Sequence, residues 1–274
     1  MFADNALLVS LNISQWTARK LDKDVTKEVA TSHGVLASVG NYNKSVLPGA
    51  VALENIKKAT GAARTYFYKQ TLPWCLDGAG ILANKNYMTF MQEFREHKDN
   101  WNQAVEQFLR EYPVLKANAQ QQLNGLYNEK DYPQDPSHLF KFDISFMPIP
   151  QSNDFRIELA AEEKAKFEAT LKNAEVDASK ELYKRLYEVA NKAATTLRNP
   201  DATFKDTLVG NALELCELLP RMNFAEDANL EALRLELVDV LASKKPESLR
   251  VLPSVRSETV AGLDKIMSQM SGYM

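Results

Sequence analysis

Residues 131–159 read DYPQDPSHLFKFDISFMPIPQSNDFRIEL. Most of the chain on either side has helical periodicity, whereas this stretch sets Pro133, Pro136, Pro148 and Pro150 around two runs of alternating character. In 141–147, Phe142, Ile144 and Phe146 alternate with Asp143, Ser145 and Met147, the period-2 pattern of a half-buried strand. In 154–159, Phe155, Ile157 and Leu159 alternate with Arg156 and Glu158. Between them, 148–153 (PIPQSN) turns the chain, because each proline removes a ladder donor and Ser-Asn favours a turn. The reading is a small antiparallel sheet at the junction of two helical halves. The fold class follows: mainly α with a small antiparallel β-sheet (α+β), a long central helix and a C-terminal helical bundle. The expected division is an N-terminal helical region with the sheet over 1–159 and a C-terminal helical region over 160–274, or one continuous domain.

The 274 residues can bury a sizeable core. A formal net charge of -3 gives no global electrostatic footprint for nucleic acid or anionic membrane. Two distant cysteines, Cys75 and Cys216, form no CxxC, which argues against a disulfide framework or a thiolate zinc site and for a reducing cytoplasm. No run reaches the roughly 18 apolar residues of a membrane span. The N-terminal MFADNALLVSLNIS carries Asp4 where a secretory signal carries Lys or Arg, so 6–13 reads as a first strand pairing with the sheet at 141–159. The expectation is a cytoplasmic protein of a bacterial host cell with no membrane partner.

In chain order, Ser14 is expected to cap a helix through Trp16 and Leu21 toward Val29 and Ala30. The segment 33–48, with Gly34, Gly40, Asn41 and Asn43, reads as a loop or a short broken helix. Over 49–71 the spacing of Ala52, Ile56, Ala59, Ala63, Phe67 and Gln70 is helical. Its other face carries Lys57, Lys58, Arg64 and Lys69 among Tyr66 and Tyr68. Cations interleaved with aromatics make a candidate single-stranded nucleic-acid face, charge for phosphates and rings for stacking. A solvated helix face is the plainer account of the same residues.

The loop 72–82, LPWCLDGAGIL, carries Trp74, Asp77, Gly78 and Gly80, a candidate interaction loop. Its GxG lacks the third glycine and the preceding strand of a dinucleotide site; a buried Trp74 anchoring the loop is the structural reading. Cys75 has no histidine neighbour in sequence to activate it and is expected to be a half-buried structural thiol. Over 86–112 an aromatic stripe of Tyr87, Phe90, Phe94, Trp101, Phe108 and Tyr112 marks an amphipathic core helix that Pro113 stops or kinks, with a further helical segment over 114–128. His33, His97 and His138 form no HxxxH, HxH or HExxH, so no metal site is expected.

Helical steps of three and four residues run unbroken from Phe167 and Leu171 through Leu182 and Leu186 to Leu197. They predict one helix over 160–197, more than about 50 Å long. Asn199-Pro200 is expected to restart a helix that ends at Pro220. Further helices are expected over about 227–242 and from Ser257 onward. Carboxylate pairs such as Glu162-Glu163 sit where helix starts favour negative charge. No nucleophile–base ordering or phosphate loop emerges, so neither catalytic residues nor a cofactor are assigned, and the chain is read as a non-enzyme.

Three stretches, LLVSLNISQWTARKLDKDVTKEVA, TLPWCLDGAGILANKNY and DYP…HLFKFDISFMPIPQSNDFRIEL, resemble in that order an uncharacterised family. Its members are encoded mostly by phages and integrative mobile elements, and the resemblance runs from about Leu7 to the final helices. Members are encoded beside MoxR- or cobaltochelatase-like AAA+ ATPases and von Willebrand A-type proteins. The resemblance implies a helical adaptor or assembly protein working with an AAA+ ATPase, with self-association a further expectation; single-stranded nucleic-acid binding in phage DNA metabolism is the alternative. It carries over no catalytic residues, and Trp16, Trp74, Asp77, Gly78, Gly80, Tyr132, Pro133, Pro150 and Phe155 are motif positions without assigned roles.

Overall fold

A computed structural model of the chain describes residues 2–75, 78–151 and 161–273. The fold is mainly α with a small antiparallel sheet, a long helix and C-terminal helices. The chain forms two compact units that interleave in sequence: Met1–Ser10, Phe67–Gln92 and Ile144–Met274 make the first, Leu11–Tyr66 and Glu93–Asp143 the second. This is not a division in sequence order, and the boundary expected at 159/160 lies outside the described residues. So does the expected strand over 154–159, with Phe155.

The sheet has the order β4-β5-β1-β6, built from β1 (Ala6–Ser14), β4 (Leu72–Pro73), β5 (Ala79–Ala83) and β6 (Lys141–Pro148). β1 and β6 are neighbours, as the alternation of their sequences predicts. The stretch 72–82, read as a loop, also supplies two strands: β5 pairs antiparallel with β1 from Ala6↔Ala83 to Ser10↔Ala79, and β4 pairs with β5. Short apolar runs such as Ile81-Leu82-Ala83 lack the length to show a period, which is why the sequence hid them.

In the first unit this sheet contributes Ala6, Leu8, Leu72, Ile81 and Ala83 to one core with the long helix α5 (Ala161–Arg198) and the helices after it. Those are α6 (Thr207–Met222), α7 (Ala228–Ala242), α8 (Pro246–Val251) and α9 (Pro253–Met270). Helix α5 has the expected continuity because nothing in it breaks the i→i−4 ladder. Leu182, Leu186, Ala190 and Ala193 are buried against the bundle, but Phe167 and Leu171, expected on the same face, are only half-buried. The core side of α5 begins at Ala174.

Three expected helix boundaries fail here. Asn199-Pro200 does not restart a helix; α6 begins at Thr207. Arg256 donates to the carbonyls of Pro200 (2.8 Å) and Ala202 (3.2 Å), and Arg250 donates to that of Phe204 (3.2 Å). These bonds occupy carbonyls that a helix would otherwise use, so the segment stays irregular. Helix α6 also runs through Pro220 to Met222, and α9 begins at Pro253, not Ser257. Pro220 is exposed and in the last turn, and the carbonyl its missing amide leaves open, that of Cys216, accepts from Arg234 Nη1 at 3.3 Å.

In the second unit, the helix expected from Ser14 through Trp16 and Leu21 is absent. β1 continues to Ser14, a short β2 (Arg19–Leu21) pairs antiparallel with β3 (Asn43–Ser45), and helix α2 spans Lys23–Ser32. Asp22 is its N-cap, accepting from the Val25 amide at 3.1 Å. Ala18 at φ 50° cannot continue a right-handed helix, and Trp16 packs edge-on to Tyr112 and Phe108 at centroid distances of 5.8 and 6.3 Å. Tertiary packing overrides local propensity here.

Helices α3 (Val51–Gln70) and α4 (Tyr87–Leu123) follow their predicted stripes. Pro113, expected to stop or kink its helix, sits inside α4 at an exposed position, where loss of its amide is tolerated. The aromatic stripe is core: Phe94 and Trp101 lie 5.5 and 5.4 Å from Phe142, and Phe108 lies 5.4 Å from Phe140. Trp101 Nε1 donates to Thr60 (2.9 Å), whose hydroxyl donates to Gln15 (2.7 Å). Among the described residues no helix is long and apolar enough to cross a membrane.

Candidate functional site

The basic-aromatic face of α3 is the first place to look, because all six of its residues sit on one helix. Tyr66 faces inward: it is buried, with His97 at 4.9 Å and Phe94 at 6.4 Å between ring centroids. Lys57 pairs with Glu54 at 2.6 Å and Lys69 with Glu214 at 2.5 Å. Arg64 donates to the Ile13 carbonyl at 3.1 Å. Lys58 is exposed, and Tyr68 is 67% exposed. The helix therefore presents Lys58, Arg64 and Tyr68 outward, while two of the four cations carry carboxylate partners. Tyr66, expected among the cations on the outer face, is instead on the buried side, because His97 and Phe94 of α4 pack against its ring.

The described residues of the Trp74 loop belong to the first unit, where they supply β4 and β5. Gly78 has φ 80°, the left-handed region that glycine enters without steric cost. Gly80 is required by packing, since a Cβ there would come within 2.9 Å of the Thr71 side chain and 3.3 Å of the Leu72 carbonyl. Trp74 is half-buried and packs against the core of the unit. Its indole Nε1 is buried and has no partner among the described residues. Cys75, expected to be half-buried, is exposed. Asp77 lies outside the described residues.

Beneath this loop Arg185 of α5 closes the end of α3. It donates to the carbonyls of Tyr68 (3.2 Å), Lys69 (3.0 Å) and Thr71 (2.8 Å), and Glu181 holds its Nε at 3.0 Å. A helix end leaves its last carbonyls without amide partners, and a guanidinium meets them as both donor and countercharge to the helix dipole. Arg185, Glu181 and Trp74 line a cleft of ≈380 Å³. Nothing in the sequence around Arg185 pointed to this role, because the acceptors lie more than a hundred positions away.

The second unit holds a feature that composition conceals. From Thr31 to Asn43 every residue is exposed, yet the segment carries Val35 (47%), Leu36 (77%), Val39 (71%) and Tyr42 (41%). With Val29 of α2 they line an open apolar cleft of ≈290 Å³. Single exposed apolar residues are ordinary, but several lining one cleft mark interaction surfaces. The available signal was a cluster of branched aliphatics in a run without strand or helix period. Beside it, Lys44 is buried between Asp22 (3.2 Å) and Asp131 (3.1 Å) and donates to the Leu126 carbonyl at 2.7 Å. This fixes the base of the segment to the unit.

Titrating groups offer little chemistry. Burial pushes the Tyr112 and Tyr132 hydroxyls up to about 12 and the Cys216 thiol up to about 11, so all three stay protonated at neutral pH. Tyr112 and Tyr132 donate to the carbonyls of Pro133 and Val46, structural roles for two of the motif positions. Among the described residues no three His, Cys, Asp or Glu side chains group as metal ligands. No protein-family model, curated protein or solved structure matches the chain.

Proposed function

We propose that this chain is a non-catalytic helical adaptor or assembly protein that works with an AAA+ ATPase in a phage or mobile-element system, inside the bacterial host cytoplasm. The observation that carries the reading is the exposed apolar cleft of Val29, Val35, Leu36, Val39 and Tyr42 on an anchored segment of the second unit. An apolar surface of this kind gains free energy only when a partner covers it. The ATPase enters from the family resemblance in the three quoted stretches. Tagged protein recovered from its host, with and without nuclease, tests the reading: an AAA+ ATPase should co-purify in both preparations. Recovery only without nuclease would overturn it in favour of a nucleic-acid bridge.

A second reading, single-stranded nucleic-acid binding, is favoured by the exposed Lys58, Arg64 and Tyr68 of α3. The surface pairs of Lys57 and Lys69 are each worth about 1 kcal/mol or less, so a phosphate chain can replace Glu54 and Glu214. On that reading, binding of a labelled single strand falls steeply with salt. Replacing Lys57, Lys58, Arg64 and Lys69 with Gln flattens the slope.

A further inference from the structure

The C-terminal helices of the first unit enclose a cleft of ≈520 Å³ at the end of α5 and the start of α9, and three guanidinium groups, Arg198, Arg250 and Arg256, line it. Like charges gather in one cleft only when something balances them. Asp264 pairs with Arg198, and Asp206 pairs with Arg250. Arg256 has no such partner among the described residues: its Nη1 and Nη2 donate to the uncharged carbonyls of Pro200 and Ala202, its Nε is buried without a partner, and its guanidinium lies 5.6 Å from the Phe204 ring centroid. Three cations thus face two carboxylates.

The start of α9 adds to the same side of the balance. This helix of 18 residues begins at Pro253 with no side-chain cap, and Pro253 and Ser257 line the cleft. The first amides of a helix have no intrahelical acceptor and carry the positive end of its dipole. Leu197 and Val260 add apolar surface to the lining. Holding the 199–206 segment explains the carbonyl bonds of Arg250 and Arg256, but it leaves the unbalanced charge and the open volume without a role.

We propose that this cleft binds a small phosphomonoester, its dianion held by Arg256 with Arg198 and Arg250 and its organic body against Leu197 and Val260. The opening falls within the roughly 300–1,000 Å³ of small-molecule sites, and guanidinium forks match phosphate geometry. The same oxyanion chemistry is offered by free inorganic phosphate, so both sources are tested.

The experiment is calorimetric titration of the full chain at low salt with inorganic phosphate and, separately, with AMP. Saturable binding by wild type is expected; tighter AMP binding supports the organic ligand, and equal affinity supports the oxyanion alone. Arg256→Gln should weaken binding about 10- to 100-fold, the range for losing a charge-assisted contact. Because Arg256 also holds the 199–206 segment, Ser257→Glu serves as the second variant. It places a carboxylate at the cleft near the start of α9, where a helix favours it, and leaves the arginine bonds intact. It should keep the wild-type melting temperature and lose at least about tenfold in affinity. Absence of saturable binding to either probe, or wild-type affinity in a correctly melting Ser257→Glu protein, would overturn the proposal.

Discussion

Replacing Arg185 with leucine tests how the first unit holds the end of α3. Arg185 supplies donors to three carbonyls, those of Tyr68, Lys69 and Thr71, at 3.2, 3.0 and 2.8 Å. Leucine keeps an aliphatic side chain at this position of α5 and removes the guanidinium donors and their charge. The Tyr68 bond is exposed, so water replaces it at little cost. The bonds to Lys69 and Thr71 are part-buried, and leaving a buried acceptor unmet costs about 1–3 kcal/mol each. Partial access of water at the cleft trims the sum, and relief of Glu181, whose partner is lost, changes it little because that carboxylate reaches solvent. The expected loss is about 2–4 kcal/mol. Arg185→Lys, with one compact donor group instead of a fork, should lose about half as much. Urea unfolding is the assay: the midpoint should fall at constant slope, which separates a loss of stability from a change in the unfolded state. A leucine variant as stable as wild type would refute the capping role.

Other consequences follow from the same geometry. Leu182→Ala, at a position 2% exposed in the middle of α5, should cost about 2–5 kcal/mol, whereas Leu171→Ala in the half-buried early turns should cost less than half of that; thermal melts of the two compare them directly. Gly80→Ala drives a methyl to 2.9 Å from Thr71 Cβ and Oγ1 and should destabilise by about 1–3 kcal/mol through overpacking; Thr71→Ser in the same chain should recover little, because serine keeps both atoms, and a full rescue by it in thermal melts would contradict this. Acid stability depends on Asp22, whose carboxyl is held below its ordinary range by the Val25 amide and then by Lys44. A depressed carboxylate contributes stability above its unfolded pKa and loses it as pH falls through the folded one. Wild type should therefore lose stability below about pH 4 more steeply than Asp22→Asn, and parallel pH profiles of the two would contradict this.

The long-period features were legible in the sequence. Unbroken three- and four-residue steps gave α5 its length within a residue, and the aromatic stripe of α4 was core, with Phe94 5.5 Å from Phe142 and Phe108 5.4 Å from Phe140. The alternation at 141–147 and at 6–13 named neighbouring strands without fixing their register. What escaped was set by partners far along the chain. Ser14 and Trp16 sit in good helical context, yet Trp16 is held by Tyr112 and the Ala18 carbonyl accepts from Val46. Asn199-Pro200 is a sound restart signal cancelled by Arg250 and Arg256 some fifty residues later. At the candidate sites the same rule holds. The α3 cations were found by spacing, but their carboxylate partners, the buried face of Tyr66 and the capping by Arg185 depend on tertiary neighbours. The exposed aliphatics at 35–42 were visible as letters; only their exposure gives them meaning.

The central claim is that the chain works by covering an apolar surface with a protein partner. Its most direct test is titration of a purified MoxR-like AAA+ ATPase, the partner class proposed above, with wild type and with Leu36→Asp/Val39→Asp. Leu36 and Val39 are 77% and 71% exposed, so the double variant should melt within about 1 kcal/mol of wild type. The account predicts saturable binding by wild type and at least a tenfold loss in the variant, as expected when a charge meets an apolar interface. Equal binding by the two proteins, or no binding by wild type at any salt concentration, would contradict it.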